Sequence, residues 1–510
     1  MDFLPNLSVE TWTLLVVLLT VAFLYGTWTH GIFSKLGIPG PRPLPFIGTF
    51  HGYRNGMLDF DMECFKKYGK IWGIFDGRTP ILAVMDPIIV KSVLVKECYT
   101  HFTNRRNIGL NGPLEDGVTV AKDDVWKRIR TVLSPTFTSG KLKEMFPIMK
   151  DLGETLVRNL QKKTEQDEPL DMKQTFASYS TDVVISTSFG VSIDSMNNPK
   201  DPFVTNGRRL FNFRFMNPLL IIIVLFPFLI PVLQKMNFCL IPNDLLQFFK
   251  SAVKSLKEKR QKGNRENRVD FLQLMVDSQT EDIPASNGVN HGYKALTDRE
   301  ITAQSMIFIL AGFETTSTTL SFLSYNLATH PDVQRKLQQE IDTLLPNKAP
   351  LTYDALMQME YLEMAINETL RMYPPGGRLE RVCKKTVEVN GVTIPEGVVV
   401  MIPLYPLQRD PEYWPEPDEF KPDRFSKENK DTQEPYTFLP FGSGPRNCIG
   451  MRFALLNVKV GIASLLQNFS FHTCKETPIP LELDTRGFIK TKTPIYLKLV
   501  PRTAVLVEDK

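Results

Sequence analysis

The chain has 510 residues, 43% of them hydrophobic and 23% charged, and a net charge of +4. This composition supplies a sizeable apolar core and excludes large-scale disorder, while the mild, dispersed positive excess excludes a nucleic-acid surface. Six cysteines and six histidines are scattered with no Cys-x-x-Cys or His-x-x-x-His pair, which argues against a disulfide framework or a zinc centre.

From residue 11 to 29 no side chain is charged, and Leu, Val and Phe dominate. At roughly −0.3 to −0.6 kcal/mol per such residue, the stretch favours a bilayer and is just long enough to span one. A cleaved signal peptide or a core helix is the competing reading. Asp2 and Glu10 stand where a signal peptide carries cations, and no small-x-small cleavage site follows. Residues 1–30 are therefore expected to be a single membrane anchor, with Trp12, Tyr25 and Trp28 at the interfaces. Lys35, Arg42, Arg54, Lys66 and Lys67 follow it and put the remainder on the cytosolic side. The prolines of residues 31–48 fix extended backbone and predict a stiff strut, leaving 49–510 as the catalytic domain.

Helical periodicity predicts helices over 140–161, 245–262, 297–329, 332–345 and 361–372. Charges at 254–262 read as a solvated helix face. Alternation around Asn390-Gly391 predicts a hairpin over 386–394, and 398–402 reads as a buried strand. The polar stretch 280–294 reads as a surface loop. Residues 218–233 are strongly apolar, but at about 1.5 Å per residue they cover only roughly 24 Å, and Pro227 and Pro231 interrupt them. They read as a short helical pair, either core or dipping into the membrane interface over a lipophilic pocket.

The strongest chemical signal is Phe441-Gly-Ser-Gly-Pro-Arg-Asn-Cys-Ile-Gly450. A thiolate that ligates iron needs a rigid loop, N–H donors aimed at sulfur, and exclusion of water. Gly442 and Gly444 permit a tight backbone, Pro445 stiffens it, and Gly450 lets the next helix pass close beneath a flat macrocycle. Arg446 is placed for charge-assisted bonds to a propionate. A Gly-rich turn around a structural cysteine is the bland alternative.

In this loop the chain resembles the cytochrome P-450 superfamily, whose pattern Phe-x-x-Gly-x-Arg-x-Cys-x-Gly is met at every position. Ala311-Gly-Phe-Glu-Thr-Thr316 and Glu368-Thr-Leu-Arg371 follow the family's order and spacing. Longer runs, such as Leu133-Ser-Pro-Thr-Phe-Thr-Ser-Gly-Lys141, look like vertebrate subfamily 3A. The resemblance implies a mainly α fold with a small β region, in which haem b lies between the long central helix and the Cys448 loop. It implies that Thr315 and Glu314 relay protons in a groove for O2, and that Glu368, Arg371 and Arg424 have a structural role. Arg105, Trp126, Arg130 and Arg381 become haem contacts beside Phe441, Gly442, Gly450, Ala311 and Arg446. The implied substrate pocket comprises Arg106, Ile108, Thr119, Phe213, Phe215, Phe308, Leu310, Gly376, Leu379 and Phe488.

The implied reaction inserts one oxygen atom of O2 into steroids, xenobiotics or drugs. Electrons would come from NADPH–cytochrome P-450 reductase, with cytochrome b5 as a possible second donor, at the endoplasmic reticulum membrane. A basic face including Lys127, Lys141 and Lys143 would dock these acidic partners. The rival reading is a haem-thiolate isomerase acting on lipid peroxides without O2; retention of Glu314-Thr315 argues against it. Three positions depart from the resemblance: a longer 280–294 loop, Gln408 where His is common, and Gly376-Gly377 in place of bulkier residues.

Overall fold

The structure is a computed structural model and describes residues 8–107, 109–211, 218–262, 269–280 and 295–502. Its axis is the 32-residue helix Asp298–Thr329, opened by a capping box in which Thr297 accepts from the Glu300 N–H while Glu300 accepts from the Thr297 N–H. Most of this helix is buried, because helices Met172–Phe189, Glu360–Met372 and Met451–Asn468 all pack on it. Among the described residues two helices are long and apolar enough to cross a membrane. Burial separates them: the central helix is 72% buried over its apolar window, against 6% for Val9–Thr27. The second is the anchor candidate; the first is core.

The other predicted helices form with ends shifted by a few residues, as Ser139–Thr164, Asn243–Lys262, Pro331–Leu344 and Glu360–Met372. The hairpin Val387–Val389/Val392–Ile394 turns at Asn390 and Gly391, both at positive φ. The buried strand predicted at 398–402 forms as Val399–Pro403, and it belongs to a four-stranded sheet, ordered Ile71–Asp76, Thr79–Val84, Val399–Pro403, Arg378–Val382, whose other three strands sequence reading missed. Its inner strands are almost wholly buried, so they carry apolar runs rather than alternation. The 280–294 loop falls almost entirely outside the described residues.

Residues 31–48 are folded onto this sheet rather than standing off it. The Gly73 N–H donates to the Pro39 carbonyl at 2.8 Å, and Gly48 bridges to Asp76. The anchor's last turn is docked as well. Tyr25 lies under the Arg78 guanidinium, 3.8 Å from its carbon to the ring centre, and edge-on to Phe228 at 6.0 Å. Tyr25 is thus held by the body, whereas Trp12 and Trp28 are exposed. The apolar 218–233 segment forms helices Pro218–Leu225 and Ile230–Lys235 around a turn at Pro227. Ile223 is buried, while Ile222, Phe228 and Val232 face outward beside the anchor. The segment is neither wholly core nor a second span.

The charged face at 254–262 is only partly solvated. Arg260 clamps the buried Asp270 through bonds of 2.8 and 2.9 Å and donates to the Phe189 carbonyl at 2.7 Å. That ties the 243–262 helix to the core.

Candidate functional site

The cysteine loop is closed by the Cys448 N–H donating to the Phe441 carbonyl at 2.8 Å. Gly442 and Gly444 sit at φ +69° and +72°, left-handed conformations that a side chain strains. A Cβ at Gly444 would also overlap the Leu94 carbonyl, so the loop is pressed onto the 87–96 segment. The Cys448 side chain is accessible yet surrounded by protein, so it faces an interior cleft rather than the outer surface. Burial pushes its thiol up, while the Gly450 N–H and the Arg130 and Arg105 charges pull the other way. A coordinating metal deprotonates such a thiol outright. At Gly450 a Cβ would meet only Phe137, at an ordinary 3.8 Å, so protein packing alone does not demand glycine there.

The fold gathers four arginines from four segments, with the charges of Arg105 and Arg130 reaching the sulfur and Arg381 and Arg446 beside Arg105. Arg105 donates to the Arg446 carbonyl at 3.1 Å. Arg130, on helix Asp123–Leu133, donates to Asn447 at 2.9 and 2.7 Å. Arg446 donates to the Ala121 carbonyl at 2.5 Å and lies over the Trp126 ring at 4.3 Å. Arg381, in the sheet, donates to the Glu380 carbonyl at 2.8 Å. Among the described residues no carboxylate forms an ion pair with any of them, and the nearby Asp123 is taken by Lys384 at 2.6 Å. Burial, then the neighbouring cations, pushes Arg446 down to about 9 and Arg381 to about 10. Nε of Arg381, and Nε and Nη1 of Arg446, are buried without a partner. Unmatched buried cations are costly, and this set calls for anionic groups beside the thiol. Haem, with two propionates and an iron that takes thiolate, has the complementary chemistry, so the residues fit that cofactor.

On the central helix Ala311 is exposed, and Thr315 Oγ1 donates to the Ala311 carbonyl at 2.6 Å. Gly312 has a packing reason that sequence alone does not give: a Cβ there would come within 2.5 Å of Val184 on helix Met172–Phe189. The adjacent carbonyls accept from that same helix, Gly312 and Phe313 from Ser180 at 2.8 and 3.1 Å. Glu314 pairs with Lys173 at 2.9 Å, a partner that sequence reading missed. Its only signal is a lone lysine in a helix otherwise almost wholly buried.

Behind the loop, Glu368 is fully buried and accepts from Arg371 at 2.7 and 2.9 Å, from Arg424 at 3.2 Å and from the Lys421 N–H at 3.0 Å. The departure at Gln408 has a definite place here. Its amide donates to the Leu370 and Arg371 carbonyls at 3.0 Å, and its oxygen accepts from the Leu439 N–H at 3.0 Å. It therefore joins the end of helix Glu360–Met372 to the residues leading into the cysteine loop.

The pocket set is brought together only in part. Leu379 lies against the loop, 3.8 Å from a Cβ built on Gly442. Thr119 and Leu310 are half-buried, and Phe488 is exposed. The 112–120 segment is held on the central helix by the Val118 N–H donating to Gln304 at 2.8 Å. Arg106 is tied up by Asp76 at 2.6 Å and Glu380 at 2.8 Å. Phe308 packs in the aromatic core against Phe137 and Phe271. A side chain at Gly376 would enter open space, whereas one at Gly377 would overlap Leu58. Ile108, Phe213 and Phe215 lie outside the described residues. Of the basic face, Lys141 and Lys143 are paired with Glu144 and Asp354 at 2.9 and 3.0 Å, and Lys127 lies over Tyr99.

A mainly helical body with a thiol cleft lined by uncompensated arginines defines the class of a haem-thiolate protein. The cytochrome P450 family model matches residues 38–499, and the chain belongs to this family of haem-binding monooxygenases. It is 58% identical to cytochrome P450 3A12 of Canis lupus familiaris over 502 residues, 98% of this chain and 99% of the relative. It is 57% identical to cytochrome P450 3A9 of Rattus norvegicus, at the same coverage. With cytochrome P450 3A40 of Oryzias latipes it shares 57% over 497 residues, 98% of each chain.

Proposed function

We propose that this chain, held at the endoplasmic reticulum membrane by residues 1–30 with residues 49–510 in the cytosol, hydroxylates large lipophilic substrates such as steroids, xenobiotics and drugs. Electrons come from NADPH through the flavoprotein NADPH–cytochrome P-450 reductase, with cytochrome b5 a second donor. One observation carries the reading: the Cys448 thiol faces an interior cleft beside a cluster of four arginines that, among the described residues, pair with no carboxylate. Haem, when bound, supplies the redox chemistry that activates O2.

The protein's residues do the rest. Cys448 would hold the haem iron through its thiolate, and the Gly450 N–H would temper the charge on its sulfur. Arg105, Arg130, Arg381 and Arg446 would hold the propionates, with Trp126 packed against Arg446. Thr315 and Glu314 move protons on the opposite wall, Thr315 through Oγ1. Leu379, Thr119, Leu310 and Ala311 offer an apolar lining, open further at Gly376. The outward apolar side chains of 218–233 beside the anchor suit a body tilted into the interface, near the source of lipophilic substrate.

The test uses the full chain in phospholipid vesicles with the reductase, O2 and a panel of steroids. Hydroxylated product that requires both NADPH and O2 is expected. A lipid hydroperoxide is tested alongside: its rearrangement without NADPH or O2, with no steroid hydroxylated, would point to the isomerase instead.

A further inference from the structure

Lys173 is a half-buried cation that the reading above does not use. It stands two residues into helix Met172–Phe189, after the N-cap Asp171, and crosses to the central helix. There Nζ pairs with Glu314 Oε1 at 2.9 Å and donates to Ser317 Oγ at 2.9 Å and Thr318 Oγ1 at 2.6 Å. Its surroundings are dense enough that burial lowers its pKa. A bland account is available: an ion pair stitching two helices that already pack closely. The space behind Lys173 argues for more. A cleft of about 210 Å3 is lined by Asp171, Lys173, Thr318, Ser321, Lys490 and Lys492 among others. Lys490 and Lys492 have side chains 61% and 58% exposed, so the cleft opens to solvent. One end is therefore the surface, and the other is the ammonium that holds Glu314, next to Thr315. Phe322, Pro494 and Ile495 make part of the wall apolar, while the Asp171 carboxylate, the Lys173 ammonium and the Thr318 and Ser321 hydroxyls give water polar partners along the rest.

We infer that Lys173 is a positioning residue for oxygen activation, holding the Glu314 carboxylate at the inner end of a water-filled cleft through which protons enter from the surface between Lys490 and Lys492. This rests on the proton-relay role of Glu314 and Thr315 given above. The cation keeps the carboxylate turned to the solvent side of the helix, where it recharges with a proton from cleft water before passing it to Thr315. Without the cation the carboxylate has no fixed partner, and the proton arrives late. Electrons are then lost as peroxide instead of appearing in product. Ser317 and Thr318, bonded to the same ammonium, fix its rotamer.

The experiment uses full-length haem-loaded protein with NADPH, the reductase and a steroid that it hydroxylates. Lys173→Met is expected to lower product formed per NADPH about tenfold, less than the roughly 10²–10⁴ carried by a directly transferring group. Peroxide release and the solvent deuterium effect should rise, with KM and the substrate-induced Soret shift unchanged. Lys173→Arg, which keeps a cation in reach, should recover most of the coupling. Thr491→Trp, which narrows the cleft mouth without touching the ion pair, should lower coupling about threefold and keeps the idea testable if Lys173→Met does not fold. Parent-like coupling in Lys173→Met or in Thr491→Trp overturns the proposal. So does a loss that Lys173→Arg fails to rescue and that comes with a raised KM, the mark of displaced helices. Thr315→Ala, run in parallel, separates the two levels. If it stays fully coupled, the relay itself is wrong; if it uncouples while Lys173→Met does not, only the role of Lys173 falls.

Discussion

Replacing Glu368 by Gln changes one heavy atom, an oxygen to an NH2 nitrogen, and leaves two guanidinium groups facing a neutral amide in a largely buried site. Glu368 and Arg371 are both 0% exposed, and Arg424 is 13% exposed. The lost charge strips the bonds at 2.7, 2.9 and 3.2 Å of their ionic character, and the new NH2 points at a donor. Breaking one side of a buried pair costs about 3–5 kcal/mol. Arg371 also donates to the Gln408 carbonyl at 2.9 Å, so strain passes to the residues that lead into the cysteine loop. Unfolding entropy is about 2.1 cal/mol/K per residue, which for 510 residues gives roughly 1 °C per kcal/mol. Glu368→Gln should therefore lower the thermal midpoint by about 3–5 °C, followed by circular dichroism at a fixed scan rate, and should reduce haem content of purified protein. A midpoint within about 1 °C of the parent, with full haem content, would refute the structural role given to this cluster.

Gly444→Ala should abolish haem uptake, because its positive φ is unfavourable for alanine and its Cβ overlaps the Leu94 carbonyl; absorbance in the Soret region of the purified variant checks this. Asp182 is buried and accepts from the Ser195 N–H at 3.0 Å, and burial raises its carboxyl from 3.8 to about 7. A raised folded-state value means that the folded protein binds the extra proton, so the stability it brings is present below about pH 4 and is lost as pH rises toward 7. The thermal midpoint should fall by about 1 °C per pH unit between about pH 5 and 7, and Asp182→Asn should remove that part of the slope.

What the sequence disclosed follows from how each feature is encoded. The cysteine loop was legible because its backbone geometry demands glycines at fixed spacing, and two of them do hold positive φ. The central helix was legible from its periodicity, and the structure adds the capping box of Thr297 and Glu300 that fixes its start. Of the four-stranded sheet only Val399–Pro403 was legible, as an apolar run; Ile71–Asp76 and Thr79–Val84, buried on both faces, carry no alternation to read. The arginine cluster joins residues more than 300 positions apart, and only likeness to a family pointed to its members. The same likeness named Phe308 without its neighbours, Phe137 and Phe271, which come from distant segments. Lys173 lies 141 residues from Glu314, a distance that no local pattern spans.

Cys448→Ser tests the central claim most directly. The reduced, CO-treated variant should lack the long-wavelength Soret band of a thiolate ligand while the parent displays it, since a serine hydroxyl does not donate electron density as sulfur does. A variant that keeps the band at full intensity would place the ligand elsewhere and contradict the account.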